Sequence, residues 1–294
     1  INPNDIRSYY ALSVLNINNI NSKIYNSLKL IIKKNKISIF EKSLINFIFS
    51  KIEKKKNQLK EEINYLKIAH QYNFEANLDY NRKSNFYYEK VISNNFNRII
   101  FEGKFDFNAE FNDSKHIFIV GLPRSGSSLV ETIISHNEPN INSLGEFHGI
   151  NTSILDQIGK TILSKNFDYK SFKLIIDKKK FQEDLLEKYD NFKNKLYLDK
   201  SLENFFNMEI ILKFFPNAKF IHTYRNFNDA VIGIYMTMLP KLSWSHKIEN
   251  IINYIGLYKK TINFFKEKYP TKIIDVELNK LSNNKEEETK KILN

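Results

Sequence analysis

The apolar run His116-Ile-Phe-Ile-Val120 ends on Gly121-Leu-Pro-Arg-Ser-Gly126 and passes straight into the amphipathic stretch Ser127–His136. A short, unbroken run of β-branched and aromatic residues suits a strand buried on both faces of a parallel sheet. The glycines mark a tight loop, and the periodic apolar positions after them mark a helix. Two further runs, Lys219–Tyr224 and Lys272–Val276, read as strands of the same kind. Helical stretches at Ser127–His136, Leu202–Phe215, Asp229–Met238 and Ile248–Tyr269 lie between them. Strands alternating with helices predict an α/β domain over 116–294, a parallel sheet flanked by helices.

Residues 1–95 predict a different architecture. From Ile37 to Ile52 the apolar positions Ile37, Phe40, Leu44, Phe47, Ile48 and Ile52 keep three- and four-residue spacing, which is one face of a helix. After the polar break at Lys54–Asn57, Leu59, Ile63, Leu66 and Tyr72 line a second helix, with Lys60, Glu61, Glu62 and Lys67 on its outer side. Two such helices joined by a short turn form a hairpin, and Tyr9–Leu15 with Ile24–Ile31 suggest an earlier pair. A repeat array like the tetratricopeptide repeat and a plain helical subdomain both satisfy this pattern. The polar residues 96–115 are expected to be a linker.

Composition closes off several chemistries. The chain has no cysteine, which excludes disulfides, cysteine nucleophiles and thiolate zinc sites. No apolar run approaches the roughly 18 residues of a membrane span; a cytoplasmic location is expected, and the start at Ile1 leaves a preceding targeting segment open. Lys and Arg outnumber Asp and Glu by 45 to 33, a net charge of +12. That excess suits an anionic partner, or simply a lysine-rich composition, and no nucleic-acid-binding motif accompanies it. The chain opens on Ile1 and stops at Asn294, inside what reads as a helix beginning, so a fragment is expected.

The loop itself points to an anion. Gly121 and Gly126 have the spacing of the nucleotide-binding loop GxxxxGK[ST], but Ser127 stands where the lysine belongs. Glycines let backbone N–H groups turn inward, and the following helix aims its positive end at the same place. Ser125, Ser127 and Ser128 add hydroxyls, and the Arg124 guanidinium matches a tetrahedral oxyanion. The bland alternative is a strand–helix turn capped by Ser127.

The segment Gly121–Glu146, GLPRSGSSLVETIISHNEPNINSLGE, resembles the 5′-phosphosulfate-binding loop of sulfotransferases, whose usual form is PRSGTT followed by a helix, a His-x-x-Pro-like turn and Gly-Glu. More narrowly, it is similar to bacterial sulfotransferases with tetratricopeptide repeats ahead of the catalytic domain, relatives of the protein-tyrosine sulfotransferases. The similarity runs from about Ile37 onward and is strongest over Ile117–Glu146 and Tyr197–Tyr258. It implies an α/β fold related to nucleotide kinases, with 3′-phosphoadenosine 5′-phosphosulfate as donor. It also implies donor binding by Pro123, Arg124, Ser125, Gly126, Ser127, Ser128 and Arg225. The family's later region, which closes over the 3′-phosphate and adenine, is expected to be missing.

Sulfuryl transfer needs electrostatic clamps and one base, as phosphoryl transfer does. The sulfuryl group carries less charge, so no metal is expected. By the resemblance, Glu146 of Leu-Gly-Glu146 is the base, with His148 as the alternative, since cytosolic sulfotransferases employ a histidine. Lys200, in Tyr197-Leu-Asp-Lys200-Ser201, matches the family's Asp-Lys-x-Pro lysine and is expected to stabilise the oxygen bridging phosphate and sulfate, with Arg124 beside it. Ser201-Leu202 replaces the usual Met-Pro. Arg225 is expected on the donor's 3′-phosphate, at the carboxyl end of a parallel strand. The serine usually found eight residues on is Gly233 here. Trp244, Tyr254 and Tyr258 also match family positions, with helix packing as their expected role.

Three functions follow. The first is a sulfotransferase acting on a hydroxyl acceptor, peptidyl tyrosine or carbohydrate among them, whose helical front end contacts protein. The second is a P-loop kinase, which would need a lysine after Gly126. The third is a non-catalytic helical-repeat binding module.

Overall fold

The computed structural model describes residues 5–33, 37–104, 115–164, 166–189 and 196–293. They divide into two compact units, Ile1–Asn85 with Ile232–Ile252, and Phe86–Val231 with Asn253–Asn294.

The first unit is helical: α1 (Ile6–Leu15), α2 (Ser22–Lys33), α3 (Ile39–Lys55), α4 (Leu59–Ala76) and α5 (Leu78–Phe86). A capping box starts α3. The Glu41 N–H donates to Ser38 Oγ at 3.2 Å, and the Ser38 N–H donates to the Glu41 carboxylate at 2.8 Å. Asn57, at φ 59°, adopts the left-handed conformation that reverses the chain after α3. The α3–α4 hairpin forms where predicted, but α4 turns a different face inward than expected: Leu66 is buried together with Glu62, Ala69, His70 and Asn73, while Leu59 and Ile63 are exposed. The Ser43 hydroxyl joins the helices by donating to the Ala69 carbonyl at 2.8 Å. Ile6, Tyr9, Leu28, Leu44, Ile45, Ile48 and Phe49 form one buried cluster, and Phe47, Leu66, Ala69 and Met238 another.

In the second unit a wide helical turn (Tyr87–Ile92) leads into the one-turn helix α6 (Ser93–Asn95). Then follow β1 (Ile100–Glu102), β2 (Lys115–Gly121), α7 (Ser127–Asn137), β3 (Asn142–Gly145), α8 (Gly149–Ile162), β4 (Ile175–Asp177), α9 (Lys178–Tyr189) and β5 (Leu196–Asp199). The chain continues through α10 (Met208–Phe214), β6 (Lys219–Tyr224), α11 (Phe227–Tyr235), α12 (Ile248–Lys268), β7 (Ile273–Glu277), α13 (Leu278–Asn283) and α14 (Lys285–Leu293). Five parallel strands lie in the order β3-β5-β2-β6-β7, and β1 pairs with β4 in a separate parallel pair. The predicted α/β class is the observed one.

Two predicted elements differ. Within the stretch 96–115, Ile100–Glu102 form a strand because Ile100 and Phe101 supply apolar side chains for pairing with Ile175 and Ile176; residues 105–114 lie outside the described ones. The single helix expected over Leu202–Phe215 is broken at Asn207, with a tight helical turn at Leu202–Phe206 before α10. Strand β2 runs through the centre of the sheet, where Phe118, Ile119 and Val120 are fully buried. Ile119 packs with Val130 and Ile134 of α7, Leu198, Ile221 and Val276, which holds α7 against the sheet just beyond the loop.

Candidate active site

Four neighbouring strands deliver the site. Glu146 follows the end of β3, Lys200 the end of β5, the loop 121–128 the end of β2, and Arg225 the end of β6. The chain leaves β2 toward β3 on one side and later reaches β6 on the other, so the loop sits where the strand order reverses. Open α/β sheets bind ligands at such carboxyl ends. The register keeps these ends level: Gly121 is paired with Thr223, and Gly145 with Asp199.

The loop's backbone is specified residue by residue. A Cβ on Gly121 would lie 2.2 Å from the Thr223 carbonyl oxygen, so only glycine fits there. Arg124 takes φ 67° and Gly126 φ 91°, both left-handed. A Cβ on Gly126 would fall 2.6 Å from Cδ1 of Leu278. The Ser125 side chain is buried, and its hydroxyl donates to the Leu122 carbonyl at 2.6 Å and meets the Thr223 hydroxyl at 2.8 Å. That hydroxyl braces the loop instead of facing an anion, which changes the expected part of Ser125. The helix cap is Gly126, without a side-chain cap, and not Ser127. The first intrahelical bonds run from Leu129 and Val130 to the Gly126 carbonyl at 3.0 and 3.1 Å, so the N–H groups of Ser127 and Ser128 precede the ladder and stay available to an anion. Arg124 is exposed.

Lys200 enters this mouth from β5. Its backbone N–H donates to the Gly145 carbonyl at 2.8 Å, which ties the β3 and β5 ends together. Its Nζ donates to Ser128 Oγ at 3.3 Å and lies 3.0 Å from a Glu131 carboxylate oxygen and 3.8 Å from Glu146 Oε1. The Lys200 side chain is only 12% exposed, whereas that of Glu146 is 64% exposed. Glu131 is held in turn by the Ser143 hydroxyl at 2.7 Å.

His148 is engaged elsewhere. Its N–H donates to Ser201 Oγ at 2.8 Å, and its Nδ1 meets Glu203 at 2.7 Å. That hydrogen bond, against partial burial, raises the imidazole above its ordinary range. Burial pushes the neighbouring Asp199 carboxyl up to about 6, although the Ser201 N–H donates to it at 2.7 Å. Of the two candidate bases, Glu146 is the one that meets Lys200.

Arg225 reaches toward the loop from β6. Its Nη1 donates to the Arg124 carbonyl at 3.3 Å, and its Nη2 lies 3.5 Å from the Asp229 carboxylate. Its Nε is buried and donates to no protein atom. Gly233 is on α11, and its carbonyl accepts from the Thr237 hydroxyl at 2.9 Å.

Residues 116–294 match the model of the sulfotransferase family. The chain belongs to the sulfotransferase family. The crystal structure of the sulfotransferase STF1 from Mycobacterium tuberculosis H37Rv (type 1 form) is similar at 9% identity, over 86% of this chain and 81% of that one, with a TM-score of 0.45. No curated protein matches the chain in sequence.

In this sulfotransferase-family chain the structure adds residues that pattern reading missed. Glu131 lies one turn into α7, three and four residues after Ser128 and Ser127, on the face that Lys200 approaches. That helical spacing was the only available signal, and any surface glutamate shares it. Thr223 and Ser201, which brace the loop and the turn after β5, gave none. Among the described residues no group of three or more His, Asp or Glu side chains is arranged to hold a metal ion, and no helix is long and apolar enough to cross a membrane.

Proposed function

We propose that the chain transfers a sulfuryl group from 3′-phosphoadenosine 5′-phosphosulfate to a hydroxyl acceptor. The observation that carries this reading is the position of Lys200 Nζ, between Ser128 at the start of α7 and the exposed Glu146. The residues fit the donor. A helix start without a side-chain cap offers N–H groups to the 5′-phosphosulfate, and Arg124 adds a cation at the same loop. Arg225, one loop away, keeps one N–H on each Nη beyond its contacts with the Arg124 carbonyl and Asp229, which suits the 3′-phosphate.

The chemistry divides among these residues. The acceptor oxygen attacks sulfur while its proton passes to the Glu146 carboxylate. The bond from sulfur to the bridging oxygen breaks, and negative charge collects on the 5′-phosphate. Lys200 meets that charge, aided by the loop N–H groups and Arg124, and a group placed this way contributes about 2–4 kcal/mol to lowering the barrier. Pro123, Ser125 and Gly126 set the backbone. Ser127 and Ser128 offer the N–H groups. We assign the chain to the bacterial tetratricopeptide-repeat type related to protein-tyrosine sulfotransferases, with residues 1–95 as the repeat-like region and 116–294 as the transferase domain, to which the connecting stretch 96–115 contributes β1. The α3–α4 hairpin supports a repeat-like front end, which would present a protein or carbohydrate acceptor.

Glu146→Gln tests the assignment of the base. With radiolabelled donor and a panel of hydroxyl acceptors, turnover should drop at least ~100-fold while 3′-phosphoadenosine 5′-phosphate still binds. Unchanged turnover would remove Glu146 from the role and make His148 the residue to replace.

A further inference from the structure

Behind the loop, a chain of buried groups ends beside Arg225. His222, three residues before Arg225 on β6, is 3% exposed. Its Nδ1 lies 2.7 Å from Asp275 Oδ1, and its Nε2 is hydrogen-bonded to the Tyr258 hydroxyl. Lys266 Nζ donates to the same carboxylate at 2.7 and 2.8 Å, which keeps Asp275 ionised. Facing an ionised carboxylate, Nδ1 carries the imidazole proton, so Nε2 is the acceptor and Tyr258 the donor. The Tyr224 ring stacks on His222 at 5.3 Å and 7°, fixing the imidazole plane. The Tyr258 oxygen, its proton committed to His222, presents only lone pairs to other neighbours.

Those lone pairs have one evident use. Tyr258, 4% exposed, shares with Ser125, Leu122, Ile255 and Arg225 the wall of a cavity of about 20 Å³. The Ser125 hydroxyl is already engaged with Leu122 and Thr223. Arg225 Nε is a buried donor without a protein acceptor. A cavity of this size holds one water, which needs about 10–15 Å³ and at least two polar partners.

We infer that Tyr258, oriented by His222 and Asp275, is a positioning residue for Arg225, accepting from its Nε–H through a single water in this cavity. The guanidinium plane is thereby fixed, and the second N–H of each Nη, beyond those engaged by the Arg124 carbonyl and Asp229, is left for an anion. The assignment rests on the proposed role of Arg225 toward the donor's 3′-phosphate, and it gives Tyr258 a task beyond the helix packing expected of it.

The test is a double-mutant cycle on the full chain, read by calorimetry with 3′-phosphoadenosine 5′-phosphate and with adenosine 5′-phosphosulfate, which lacks the 3′-phosphate. Tyr258→Phe should weaken the first ligand about tenfold, what one hydrogen bond to a charged group is worth, and leave the second unchanged. In an Arg225→Ala background it should add nothing. Equal affinity in Tyr258→Phe and wild type, an equal loss for both ligands, or a full additional loss on top of Arg225→Ala would each overturn the inference. A second readout needs neither ligand nor variant: the Arg225 Nε–H of the wild type should exchange slowly with solvent by NMR, and exchange at the rate of a free guanidinium would overturn the inference. Wild type that fails to bind 3′-phosphoadenosine 5′-phosphate, yet shows the protected Nε–H, would sink the functional reading and leave the positioning intact.

Discussion

Two lysines of the second unit meet carboxylates in opposite proportions. At Asp275 a single acid receives both His222 and Lys266, so each of its oxygens is engaged by the protein. Those hydrogen bonds outweigh burial and pull the carboxyl down to about 2. At Lys200 a single cation faces two acids, Glu131 at 3.0 Å and Glu146 at 3.8 Å. The first cluster has no charge left to offer and serves as scaffold. The second has a surplus carboxylate, and the more distant and more exposed of the two is Glu146, the residue proposed as the base. Saturation separates a structural ion pair from one that can change partners during a reaction.

Removing the unsaturated cation should have the largest effect. Lys200→Ala should lower kcat about 10²–10³-fold in a radiolabelled transfer assay, with a smaller effect on donor affinity. A mutant with near-normal kcat would make Lys200 another scaffold lysine and erase the contrast. On the loop side, the guanidinium and the left-handed backbone of Arg124 can be separated by mutation. Arg124→Gly keeps the φ of 67° open to the chain and removes only the charge. It should lose transfer as fully as Arg124→Ala while unfolding at a higher temperature, by about 1 kcal/mol of relieved strain. Transfer retained in the glycine variant would mean that backbone shape, and not charge, is what the loop requires.

The smallest expected effect is on stability at the saturated cluster. The Asp275 carboxyl titrates below its ordinary 3.8, so its contribution is present above that value and is lost as pH falls through about 2. Asp275→Asn should therefore be less stable than wild type at neutral pH, and the gap should close across that acid range in denaturant titrations. A gap independent of pH would mean that packing around His222, Tyr224 and Tyr258, and not the carboxylate charge, holds this corner.

The contrast also explains what the sequence could and could not reveal. Strands β2 and β6 were legible because their apolar runs are buried on both faces, β7 because Ile273, Ile274 and Val276 still form an apolar run at the sheet edge, and the loop because its glycines punctuate β2. Strand β3, Asn142–Gly145, was not: it is an edge strand of four mostly polar residues whose pairing with β5 is decided by tertiary contact. Glu146, Lys200 and Arg225 stood out because each follows a recognisable short motif. Glu131 did not, since a carboxylate on a helix becomes informative only when Lys200 arrives from another strand. His222 was hidden inside an apolar run, and the inward turn of the Ser125 hydroxyl depends on Thr223, 98 residues away in the chain.

The proposed function stands or falls on whether the loop between Val120 and Leu129 receives a 3′-phosphorylated adenosine nucleotide. Calorimetric titration of the chain with 3′-phosphoadenosine 5′-phosphate and, separately, with ATP and Mg²⁺ addresses it directly. Binding of the 3′-phosphorylated nucleotide should be saturable and weakened by Arg225→Ala, with at least tenfold poorer binding of ATP. Preference for ATP with Mg²⁺ would contradict it and point to phosphoryl transfer, and heat from neither would reduce the chain to a helical binding module.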